Sequence, residues 1–551
     1  MLASAFASAA ALLALLPYEC KASPLSLNRR WGLDYKPNVT IKNGTVIGAY
    51  LPTFDQDAFL GVPFAQPPVG DLRLRRPRSL NATFSGGVYE ATEYSPFCPG
   101  VGSDDWPYPL SENCLRLNVI RPTGTKEGDN LPVGYWIYGG GFQQGGNADQ
   151  RYNASYVVQR SVEMGKPIMV VQVNYRVAAL GFMSSAELKQ EGNLNIGLYD
   201  QRLGLHWVQE NIAQFGGNPG KVTIWGESAG AFSVSNQIFA YAESETSLFQ
   251  AGILESGTSF STAYLPISVY QARYDAVVNQ TGCSSAANTL ACLRALPLAA
   301  FNASASAFKW NPVVDGDLIS DYPSKVVAAG NYAKVPLLIG ANTDEGTAFG
   351  PKHMNTTADL KRVISASFPQ MSKSSIDRIL QLYPNDPRVG CPYGTGDALV
   401  STGPLDKVSN AIYGDTYMVA GRRWLAEEMA KHKPVYSYRF NQPPDNATIE
   451  TGTSHFVELA FVFGYPFPTA NTLSTRPGDA ELSHLMTSQW VSFIHDQTPN
   501  NNQVENGTVW PNYQNSQENY VFQRQASYIE KDDFRREPIA FLNSLGIELS
   551  H

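Results

Sequence analysis

The chain has 551 residues, 43% of them hydrophobic and 16% charged, an ordinary globular balance with enough apolar material for a large core. Its net charge is −8, and its one basic cluster, Arg73-Leu74-Arg75-Arg76-Pro77-Arg78, is short, which excludes a typical nucleic-acid binder and reads as an ion-paired structural stretch. Past the N-terminus no stretch reaches about 18 apolar residues, so no stable membrane insertion is expected.

Residues 7–16 are apolar, and Cys20-Lys21-Ala22 offers a small-residue cleavage site before Ser23. The expectation is an export signal over residues 1–22 and a single catalytic domain over 23–551, secreted and soluble. Asn-x-Ser/Thr acceptors at Asn38, Asn43, Asn81, Asn153, Asn279, Asn302, Asn355, Asn446 and Asn506 fit a glycosylated surface. Cys98 and Cys114 close one short loop and Cys283 and Cys292 another, spacings that suit local disulfides in an oxidising compartment. Cys391 is left over and reads as a buried thiol. The cysteine spacings and scattered histidines do not resemble a zinc site.

Antiparallel strands are expected around residues 39–49 and 57–60. Residues 131–138, 167–173, 221–225, 251–255, 336–339 and 434–440 read as further strands. Several are unbroken apolar runs, as in strands buried on both faces. Residues 198–215 read as a helix, with Leu203, Leu205, Trp207, Val208, Ile212 and Phe215 at helical spacing and a Gly-Asn-Pro-Gly turn to stop it. The alternation predicts a mostly parallel α/β sheet with helices on both faces. Residues 259–331 and 350–414 read as helical insertions placed to cap a site.

The most informative stretch is Gly226-Glu227-Ser228-Ala229-Gly230, between an apolar strand and a segment that can open as a helix. That is the context of a nucleophile elbow, in which a sharp turn exposes a serine hydroxyl at the carboxyl end of the sheet. A serine needs a base, and the base an orienting acid; in this fold class the order is Ser, acid, His. Downstream, residues 336–339 lead into Asn342-Thr343-Asp344-Glu345-Gly346, an acidic turn at a strand's carboxyl end. His455 lies in a small-residue loop after the 434–440 strand, whereas His206 sits on a helix and His432 between two lysines. Spacing alone leaves Asp344 and Glu345 even as the acid. Gly139-Gly140-Gly141 follows the 131–137 strand, where glycines let backbone N–H groups approach an oxyanion.

These residues resemble the type-B carboxylesterases and lipases, the group that includes cholinesterases and fungal secreted esterases. The resemblance runs from about Asn43 to the C-terminal region. It is carried by Phe59-Leu60-Gly61-Val62-Pro63-Phe64-Ala65, Ser111-Glu112-Asn113-Cys114-Leu115-Arg116-Leu117-Asn118-Val119, Trp136-Ile137-Tyr138-Gly139-Gly140-Gly141-Phe142 and Phe215-Gly216-Gly217-Asn218-Pro219 leading into the elbow. It implies an α/β-hydrolase fold and a catalytic Ser228, Glu345 and His455, with oxyanion donors from Gly140, Gly141 and Ala229. Glu227 and Ser256 match positions that back the triad, and the resemblance supports the pairs Cys98–Cys114 and Cys283–Cys292. It implies no metal or organic cofactor and a small-molecule ester as substrate, and it leaves oligomeric state open.

The chain departs from the family's lipases between Cys98 and Cys114. Their loop there is a long hydrophobic lid; here residues 99–113 are few and include Asp104, Asp105 and Glu112. Soluble or short- to medium-chain esters are therefore expected rather than lipid droplets. Trp106 is expected to form an aromatic wall. The alternatives are an acyl-transferring relative in biosynthesis and a catalytically silent adhesion or binding protein on the same fold; the retained Ser228 and His455 weigh against the second.

Overall fold

The computed structural model describes residues 35–241, 247–464, 476–504 and 507–551. The expected export signal and the acceptor Asn506 lie outside the described residues.

The strands in chain order are β1 Asn38–Ile41, β2 Gly44–Leu51, β3 Gln56–Pro63, β4 Val88–Ala91, β5 Arg116–Pro122, β6 Leu131–Ile137, β7 Met169–Val173, β8 Gly217–Glu227, β9 Ala251–Glu255, β10 Leu337–Asn342, β11 Val435–Phe440, β12 Glu518–Phe522 and β13 Tyr528–Lys531. They join one sheet in the order β1-β2-β3-β5-β7-β6-β8-β9-β10-β11-β12-β13, with β4 paired to β2. Pairing is antiparallel along β1-β2-β3-β5-β7, parallel from β7 to β12, and antiparallel again at β13. The apolar runs of β6, β7, β9 and β10 are buried along their whole length, the reason they read as unbroken hydrophobic stretches. Helices cover both faces, among them α1 Ile196–Asn211, α2 Ala229–Phe239 and α3 Asp479–Asp496.

The chain reverses direction through the sheet at β6, which has β7 on one side and β8 on the other. A crevice at the carboxyl ends of strands about such a switch point is where open α/β sheets hold ligands. Trp136 and Trp225, on neighbouring β6 and β8, are fully buried and meet edge to face at 4.9 Å, fixing those two strand ends together.

Several boundaries differ from the sequence reading. The helix ends at Asn211, and β8 begins at Gly217, inside the expected turn. Gly217 donates back to Ile212 O at 2.9 Å and already pairs with Leu131, so the turn residues start the strand. Both insertions are helical, with Ile267–Gln280 in the first and Thr357–Ser367 and Lys373–Leu382 in the second. Asn43 is 4% exposed, and its amide donates to Leu80 O and Ala82 O.

Cys98–Cys114 and Cys283–Cys292 are both bonded, with Cα separations of 5.1 and 5.7 Å. Cys391 is buried, as expected. The basic cluster is ion-paired: Arg73 to Glu112, Arg75 to Glu191 and Arg76 to Asp317.

Candidate active site

Ser228 follows β8 directly, with φ 54° and ψ −126°, a strained conformation for a residue bearing a Cβ. The neighbouring glycines make that turn feasible. A Cβ on Gly230 would sit 2.0 Å from Ile137 O, and one on Gly226 2.5 Å from the Gly230 carbonyl carbon. The serine N–H donates to Glu255 O at 2.9 Å, tying the elbow to β9. Ser228 is 9% exposed, and α2 runs away from it.

The acidic turn after β10 meets the loop after β11. His455 Nδ1 lies 2.7 Å from Glu345 Oε2, while Glu345 Oε1 accepts the Asn342 N–H at 2.8 Å. Asp344 points elsewhere. Its Oδ2 accepts the Thr453 N–H at 2.8 Å, and its Oδ1 accepts the Tyr393 N–H at 2.8 Å and faces the Cys391 thiol. The two adjacent carboxylates thus divide the work: Glu345 touches the imidazole, and Asp344 pins the backbone of the loop that carries it.

His455 Nε2 lies 3.1 Å from Glu227 Oε1, an ion-pair contact without hydrogen-bond geometry. Among the described residues no hydrogen bond joins Ser228 to His455. Burial opposes the His455 charge, but Glu227 and Glu345 outweigh it and carry the imidazole pKa up to about 9. Burial pushes the Glu227 carboxyl well above its ordinary range, with His455 pulling the other way and Glu458, Glu345 and Glu255 adding to the rise.

Gly139-Gly140-Gly141 leaves β6 beside the elbow: a Cβ on Gly139 would come within 3.0 Å of Ser228 Cβ. Gly140 and Gly141 have φ of 91° and 63°. The N–H groups of Gly140, Gly141 and Ala229 make no hydrogen bond among the described residues. Gly140 and Gly141 border a crevice of about 700 Å³ whose wall also includes Ser228, His455, Phe349 and Phe456. Lys309 and Asn311 bring the first insertion to its rim. The second insertion contributes no wall residue; through Cys391 and Tyr393 it braces Asp344 instead.

The Cys98–Cys114 loop is bonded down beside this crevice. Val101 N–H donates to Gln143 O at 2.7 Å, Asp104 accepts from Gln144 at 3.0 Å and pairs with Arg151, and Asp105 accepts the Gly145 N–H at 3.1 Å. Trp106 is not an aromatic wall: it is 83% exposed and lines no part of the crevice. With its neighbours Asp104 and Asp105 turned back to bond the body of the protein, the tryptophan is left on the outer side of the loop.

Glu227 faces the crevice against His455 Nε2, whereas Ser256 is fully buried and belongs to a different hydrogen-bond network. Ser256 donates to Glu458 Oε1 at 3.3 Å, and Asn342 Nδ2 donates to Glu458 Oε2 at 2.5 Å. The sequence reading missed Glu458 and Asn342. Asn342 closes β10 just before the acidic turn, and Glu458 follows His455 by three residues, so proximity to the two chosen loops was the available signal. Burial and Glu345 push the Glu458 carboxyl up to about 7. Glu255 is buried beneath the elbow and accepts from the Trp225 and Trp490 indoles.

A serine on a strained elbow, an imidazole oriented by a carboxylate and unengaged backbone N–H groups make up the equipment of an α/β-hydrolase that attacks carbonyls. The model of the carboxylesterase family matches residues 35–541, and the chain belongs to that family as a serine carboxylic ester hydrolase. It is similar to the secreted triacylglycerol lipase LIP1 of Gibberella zeae, 35% identical over 92% of this chain and 90% of the relative. Secreted lipase 1 of Botryotinia fuckeliana is 37% identical over 87% and 88%. The crystal structure of Aspergillus niger EstA superposes with a TM-score of 0.85 at 30% identity, covering 94% of this chain and all of EstA.

Proposed function

We propose that Ser228 is the nucleophile, His455 the general base and Glu345 the acid that orients it. The hydroxyl attacks the ester carbonyl as Nε2 takes its proton; Glu345 holds the Nδ1 tautomer and stabilises the imidazolium. Gly140, Gly141 and Ala229 N–H groups receive the oxyanion, each such donor being worth about 3–4 kcal/mol in a transition state. Water activated by His455 then releases the acid. The observation that carries the assignment is the 2.7 Å contact of His455 with Glu345 in the same crevice as Ser228. For attack, Nε2 exchanges Glu227 for the serine hydroxyl.

Soluble or short- to medium-chain esters are the proposed substrates, because the loop over the crevice is short, acidic and bonded down. A panel of p-nitrophenyl esters of increasing acyl length tests this, with added alcohol to separate hydrolysis from acyl transfer. Highest kcat/KM at short or medium chains and free acid as the main product support the reading. No turnover of any ester would sink it in favour of a silent binding protein.

Secretion of residues 23–551 as one catalytic domain is also proposed. It is supported by the "secreted" relatives, the two disulfides and a core continuous from Val39 to Leu549. The exposed acceptors Asn38, Asn81, Asn279, Asn355 and Asn446 are the glycan sites that fit this folded surface.

A further inference from the structure

A second cavity, of about 230 Å³, lies apart from the ester crevice and shares no wall residue with it. It sits against residues 341–343, and its wall includes Arg422, Arg439, Arg535, Glu530, Tyr393, Val419 and Phe534. We propose that it is a binding site for a small organic monocarboxylate with a short aliphatic or aromatic body.

Three observations carry the proposal. The first is charge. Arg422 and Arg423 share the single carboxylate of Asp532, while Arg439 pairs with Glu530 and Arg535 with Asp415. Of the charged side chains that wall the cavity, three are guanidiniums and one, Glu530, is a carboxylate. Glu427 acts on Arg423 and Arg422 through space, forms no ion pair with either among the described residues, and does not wall the cavity.

The second is unmet donors. Arg422 is 2% exposed, and its Nε is buried without a hydrogen-bond partner. Its other two nitrogens are committed to Asp532, Ser437 and Asn519. Arg535 uses Nε and Nη2 on Asp415, and no hydrogen bond among the described residues engages Nη1. A buried charged donor left unmet, as Arg422 Nε is, is costly, and an anionic acceptor removes that cost.

The third is the remaining wall. The Arg535 guanidinium lies 4.1 Å from the Tyr393 ring centroid and 4.7 Å from that of Phe534, and Val419 adds an aliphatic surface. A carboxylate, with two oxygens and an apolar body, matches few open donors beside aromatic walls. A phosphate, with more oxygens to satisfy, does not. The volume suits one small organic acid rather than a drug-sized ligand.

Binding of butyrate and of benzoate to the full-length enzyme, measured by calorimetry at physiological ionic strength, tests this, with inorganic phosphate as a separate arm. Wild type should bind one equivalent of carboxylate at this cavity. Val419→Phe, which fills it, should weaken that binding at least tenfold while ester turnover stays as in wild type. Phosphate should show no saturable binding. Crystals soaked in 4-bromobenzoate, read by bromine anomalous scattering, locate the ligand without any variant and should place it against Arg422 and Arg535. Affinity unchanged in Val419→Phe, a bromine signal only elsewhere, no saturable carboxylate binding, or phosphate binding as tightly would each overturn the proposal. A carboxylate occupying the ester crevice shows as binding lost when Ser228 is modified by a phosphonate, so failure here is distinct from failure of the triad assignment.

Discussion

Asp344 and Glu345 are neighbours of nearly the same chemistry, and only their partners separate them. Glu345 has the imidazole; Asp344 has two backbone N–H groups and a thiol. Glu345→Gln should therefore lower kcat by roughly 10³–10⁴, as loss of the orienting acid does. Asp344→Asn keeps an acceptor and should cost far less; steady-state kinetics of the two variants decide it, and the reverse ranking contradicts the assignment. Spacing could not make this distinction, because the donors on Asp344 come from residues 391–393 and 453, remote in sequence. The family motif singled out Glu345, and its 2.7 Å contact with His455 supports that proposal. Glu227 yields a second test. Its carboxylate helps hold the proton on His455, whose pKa is carried up to about 9. Removing that charge lowers the imidazole pKa, so the neutral base forms at lower pH. Glu227→Gln should move the acid limb of the kcat/KM profile down by roughly 1–3 pH units, the usual effect of one close charge. A limb that stays or moves up would show that Glu227 does not set the base.

The elements around the site were legible in proportion to how fully they are buried. Strands such as β6, β7 and β9 announced themselves as apolar runs because both faces are covered. The start of β8 did not, since its glycine and proline residues spell a turn and only the pairing with Leu131 makes them strand. The elbow was legible because its glycines are sterically required. Gly230→Ala forces a methyl to within 2.0 Å of Ile137 O. It should cost about 1–3 kcal/mol or more of stability and collapse activity with it, read as a lowered midpoint in thermal unfolding; an unchanged midpoint would mean the turn is not held as described. The Cys98–Cys114 loop is held in the same way, by bonds to the body of the protein. Its acidic side chains are spent on Gln144, Arg151 and Gly145, and desolvating them to open onto lipid is costly. Rates on a short-chain ester should follow simple saturation across the solubility limit. A sharp jump there, lost when the loop is replaced, would show that it opens as a lid.

At the scale of the molecule, one sheet delivers every proposed functional group from the same edge. The glycine loop leaves β6, Ser228 leaves β8, Ser256 follows β9, Glu345 follows β10 and His455 lies beyond β11. The order of these groups along the chain was readable from sequence; which insertion reaches the crevice was not. Both insertions have helical patterns, and only packing sends residues 309–311 to the rim and residues 391–393 behind Asp344. Such long-range choices depend on surfaces that form only once the sheet exists. The central claim, that this edge is a working serine ester hydrolase centred on Ser228, is tested most directly by covalent labelling. The folded enzyme is treated with a fluorophosphonate, digested and sequenced by mass spectrometry. One adduct per chain is expected, on Ser228, formed in step with loss of ester turnover, and neither adduct nor turnover in Ser228→Ala. An adduct on another residue, or turnover surviving in Ser228→Ala, would contradict it.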